Sequence, residues 1–135
     1  MGWLLIALLI HFALGTGVRI HVDDISKELN YQMRELWLNK TNAPAVFFIH
    51  GFFSWFILIA SVYMVWLLRK IRTLRKPVAI YLAFVLLNML AGAVLSKLNI
   101  PALAQPLHLL LACAAISQWF YLLLITRKSE TDHYS

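Results

Sequence analysis

Two histidines could do chemistry here, because of where they stand. His50 lies five residues past Ala45 in an apolar stretch at 45–68, and His108 lies six past Ala102 in another at 102–126. If both stretches are helices running the same way, a rise of about 1.5 Å per residue puts both imidazoles about 8–9 Å from the same end. An imidazole pair at one depth can grip a haem iron from opposite faces. Other metals are poorly served, because no carboxylate or thiolate lies at this depth. The plainer alternative is that each histidine makes a buried hydrogen bond or lines a polar path. The residues alone leave both readings open.

The elements that must position this pair are membrane spans. Of 135 residues, 61% are hydrophobic and only 13% are charged, with a mean hydropathy of +0.74. A soluble domain of this size needs more surface charge. Four apolar windows, at 2–18, 45–68, 77–95 and 102–126, are long enough to cross about 30 Å of hydrocarbon. The expected fold is all-α: a polytopic bundle of four transmembrane helices over 1–128, with a polar tail at 129–135. The lipid bilayer is its first partner.

The net charge of +6 does not point to nucleic acid, because five of the twelve basic residues (Arg69, Lys70, Arg72, Arg75 and Lys76) sit between two spans. That pattern orients the chain with this loop and both termini in the cytoplasm, in the cell inner (plasma) membrane. Arg127 and Lys128 agree with it. No nucleotide-binding loop, dinucleotide fingerprint or Ser–His–Asp arrangement is present, and the four windows contain no Asp or Glu. Met1-Gly2 leaves almost no flank before the first span. That span is expected to be retained, and its abrupt start fits the C-terminal piece of a longer product.

Between spans one and two, Ile25, Leu29, Met33 and Leu36 recur at helical spacing after Asp23 and Asp24, either of which can cap a helix. This predicts an extracytoplasmic amphipathic helix over 21–39, ending in Trp37 and Leu38. In span two, His50, Ser54, Ile57 and Ser61 form one inward face, with Gly51 leaving room beside the histidine. In span four, Ala112, Ala115 and Trp119 share the face of His108. His11 is expected to face the bundle, as are Asn88, Ala91, Gly92 and Ala93 of span three. Cys113 reads as a small buried hydrophobe, and His133 as a solvent-exposed tail residue. Asn39-Lys40-Thr41 matches a glycosylation sequon too short to carry a role.

Three segments resemble the haem A synthase family of cytochrome oxidase assembly proteins. They are Leu14-Gly15-Thr16-Gly17-Val18-Arg19, Phe48-Ile49-His50, and Leu98-Asn99-Ile100-Pro101-Ala102 followed by Gln105-Pro106-Leu107-His108. Members have eight spans in two similar halves, each half taking one histidine from its second span and one from its fourth. The resemblance implies that this chain is one such half, with His50 and His108 as iron ligands of a haem b. The catalytic half carries a glutamate three residues before the second-span histidine and an arginine just after it. Here Phe47 and Gly51 stand there. The chain therefore resembles the C-terminal, cofactor-binding half, with Arg19 a candidate for the propionate contact and independent oxidoreductase activity in doubt.

The implied function is support of haem O methyl oxidation to the haem A formyl group, through electron transfer by a bis-histidine haem b. The implied partner is a second copy or a complementary four-span half. The alternatives are a general membrane cytochrome b module and a non-haem membrane scaffold.

Overall fold

The computed structural model describes residues 1–33, 45–98 and 103–131, with side chains described as far as Arg127. Its elements are α1 (Gly2–Glu28), α2 (Ala45–Leu68), a 3₁₀ turn (Arg72–Leu74), α3 (Arg75–Lys97) and α4 (Ala104–Thr131). No strand occurs among the described residues. Consecutive helices pack against one another, α3 with α4 most extensively, and α4 closes back on α1. The result is an all-α four-helix bundle with α2 and α4 on one diagonal.

All four helices are long and apolar enough to cross a membrane. Only 17% to 22% of the residues in each apolar window are buried inside the bundle, so most apolar side chains face outward. Phe48, Phe52, Trp55, Phe56, Ile59 and Trp66 of α2 are all exposed. A surface of this extent suits hydrocarbon rather than water. This is a multi-pass membrane protein.

The first helix runs ten residues beyond the expected end of span one at Val18. Nothing between Arg19 and Glu28 breaks it. The Arg19 Nε donates to Asp23 Oδ2 at 2.9 Å, one turn along, and Ser26 Oγ donates to the Asp23 carbonyl at 2.8 Å. The carboxylate expected to start a new helix thus supports the existing one. The helix ends at Leu29, where Asn30 and Tyr31 take positive φ. The Tyr31 N–H reaches the Ser26 carbonyl at 2.7 Å, and that of Asn30 the Lys27 carbonyl at 3.0 Å. These two bonds form a Schellman closure. No separate amphipathic helix therefore begins at 21. Its remaining expected residues (Leu36, Trp37, Leu38) lie outside the described residues, as do the sequon, the 99–102 part of the α3–α4 turn, and His133.

Pro77 and Pro106 each occupy the third position of their helix, in the first turn, where the missing N–H has no intrahelical partner to lose. The main core lies toward the end holding Met1 and the basic loop. Leu4, Leu8, Ile57, Met64, Val85 and Leu122 are buried around Tyr81 and Trp119, whose rings stand 4.8 Å apart. Ser61 and Tyr81 share a buried hydrogen bond of 2.7 Å between α2 and α3. The layer of histidines sits beyond this core, toward the opposite end.

Candidate functional site

His50 and His108 do meet. Their ring centroids are 6.5 Å apart, edge to face, across the α2–α4 diagonal. His11 joins them from α1, stacked on His50 at 4.3 Å and within 1° of parallel. Three helices thus place imidazoles in one layer, each ring partly buried.

What seats His50 and His108 is, for each, a glycine on the preceding helix. A Cβ added at Gly15 of α1 would come within 3.2 Å of His50 Cε1, and one added at Gly92 of α3 within 3.2 Å of His108 Cε1. Each ring therefore lies directly on helix backbone. The two contacts have the same construction, since a polar residue stands one turn before each glycine: His11 before Gly15, Asn88 before Gly92. His108 Nδ1 lies 3.0 Å from the Asn88 carbonyl. A carbonyl only accepts, so Nδ1 carries the proton. On the other hairpin, Ser54 Oγ donates to the His50 carbonyl at 2.9 Å and lies 3.4 Å from His11 Nε2.

These contacts correct the haem reading. Among the described residues, no group of three or more His, Cys, Asp or Glu side chains is arranged to hold a metal ion. The imidazoles instead act as packing groups, resting on each other and on Gly15 and Gly92. The cavity beside His11, of about 30 Å³, has room for water but not for a porphyrin. The residues do not fit haem b. Haem binding and support of haem A formation, both expected from the resemblance, are overturned with it, as is the oxidoreductase role.

Other expected site residues also take different places. Arg19 pairs with Asp23 and donates through Nη1 to the Gln105 side chain, which ties α1 to α4. Gly51 is exposed and has nothing within 4 Å of an added Cβ, so the space it leaves opens outward. Phe47, at the family's glutamate position, packs edge-on to His21 at 5.5 Å and against Val22. Cys113 is exposed rather than buried, and so is Ala93. The expected inward faces of α2 and α4 hold: Ile57, Ser61, Ala115 and Trp119 are all buried. Sequence reading missed Gly15 and Gly92 as the seats of the histidines. The available signal was the repeated polar residue with glycine four positions on.

No protein-family model, characterised protein or solved structure matches this chain.

Proposed function

We propose that this protein is a non-haem membrane scaffold, a four-span bundle whose two helical hairpins are keyed together by a layer of packed histidines. The observation that carries this reading is the edge-to-face contact of His50 and His108 across the two hairpins at 6.5 Å, each ring seated within its own hairpin on a glycine, Gly15 or Gly92. Ring contacts of this kind fix which helix faces meet, something apolar packing in lipid does only weakly. The scaffold lies in the cell inner membrane with the basic loop at 69–76 and both termini on the cytoplasmic side. Its partner is a second copy or a complementary four-span chain.

The test is a reduced-minus-oxidised visible spectrum of the detergent-purified chain, with the mass of the particle determined on the same sample. The expected result is no haem absorbance. His50→Ala and His108→Ala should each lower unfolding stability by about 1–3 kcal/mol, as loss of a packed, partly buried ring does. A b-type spectrum at one haem per chain, lost in either variant, would overturn the scaffold reading. The mass tells a lone bundle from a paired one.

A further inference from the structure

We propose that the bundle holds an internal water between its helices, bound between His11 of α1 and Asn88 of α3. The cavity of about 30 Å³ is lined by both residues, by Ser54, and otherwise by apolar side chains such as Phe12, Met89 and Ala112. Inside it the hydrogen-bond accounting does not close on protein atoms. The single hydroxyl proton of Ser54 goes to the His50 carbonyl, so the His11 Nε2 facing Ser54 Oγ must be the donor of that contact. This fixes His11 as the Nε2–H tautomer and leaves Nδ1 as a bare acceptor. His11 Nδ1 is buried without a partner, and so is Asn88 Oδ1.

Two buried acceptors lacking donors, on residues that line a cavity with room for water, match a molecule with two O–H donors. An acceptor left without a donor in hydrocarbon is strongly unfavourable, so the water belongs to the folded state. It also joins the two hairpins, α1–α2 through His11 and α3–α4 through Asn88, where their direct contact is less extensive than that within the second hairpin. A third buried nitrogen, His50 Nδ1, faces the His11 backbone on a residue that does not line the cavity and is no part of this site.

Solid-state NMR of the full chain in lipid bilayers, with ¹⁵N-labelled histidine and tryptophan, tests the site directly. His11 should show the Nε2–H tautomer with a hydrogen-bonded Nδ1. Magnetisation from water protons should reach its ring several-fold faster than it reaches the fully buried Trp119 indole, which donates to the Met1 carbonyl. Asn88→Leu removes one acceptor, and Ala112→Leu fills the cavity without touching a polar group. Either should bring the His11 transfer down to the Trp119 level. A His11 ring protonated at Nδ1, or a wild-type transfer no faster than that of Trp119, would overturn the proposal even if a variant failed to fold.

Discussion

A glycine in this bundle acquires its meaning from what lies opposite. Gly51 and Gly92 are both helical and both near a histidine in sequence or space, yet an added Cβ meets open space at one and the His108 ring at the other. Leucine is a good helix former and suits a lipid-facing position, so Gly51→Leu should be neutral or gain up to about 1 kcal/mol. Gly92→Leu drives atoms into a ring already held by the Asn88 carbonyl, and should lose about 1–3 kcal/mol. Denaturation of the two variants in the same detergent decides it, and equal stabilities would sink the seating argument. His50 and His108 were legible in the sequence because matched depth is simple arithmetic on helical rise. Their glycine seats were not, because the arithmetic gives height along a helix but not rotation about it. Cys113 went wrong for that reason: mid-span position does not say which side of the helix faces lipid.

Between elements, the buried Ser61–Tyr81 bond is a polar link from α2 to α3, with Tyr81 also packed on Trp119 from α4. Ser61 and Tyr81 are both fully buried, so removing one partner strands the other. Tyr81→Phe should cost about 1–3 kcal/mol, less whatever Ser61 recovers by turning back to its own helix. Adding Ser61→Ala to Tyr81→Phe should restore part of that loss, which a double-mutant cycle in bilayer or micelle reads as coupling. Strictly additive losses would mean the bond contributes nothing. The helices themselves were largely readable, because an uninterrupted apolar run of spanning length has few other stable outcomes in lipid. Their ends were not. Asp23 has the chemistry of a cap and the spacing of a helix-surface ion pair with Arg19, and only the second is realised. The stop at Asn30 and Tyr31 depends on backbone conformation, which residue type indicates weakly for a tyrosine.

For the whole molecule, the remaining question is which way the bundle stands in the membrane. Helix packing is indifferent to the answer, so it must come from charge. Arg69, Lys70, Arg72, Arg75 and Lys76 lie in and beside the short α2–α3 connection, close to the span ends where cationic residues resist translocation. At the other end the segment from 19 to 44 carries four basic and four acidic side chains, which gives no net opposition. The loop at 69–76 is therefore expected on the cytoplasmic side. Cys113 is exposed on α4 and must first be replaced by alanine, so that a cysteine placed elsewhere is the sole target. In that background Thr73→Cys, within the 3₁₀ turn, should resist a membrane-impermeant maleimide in intact cells and react once the membrane is opened. Lys97→Cys, at the far end of α3, should react in both cases. Replacing the five loop cations with glutamine should weaken the preference and give labelling of Thr73→Cys in a fraction of intact-cell chains. The opposite pattern, with Thr73→Cys labelled in intact cells and Lys97→Cys protected, would show that something other than the basic loop sets the orientation.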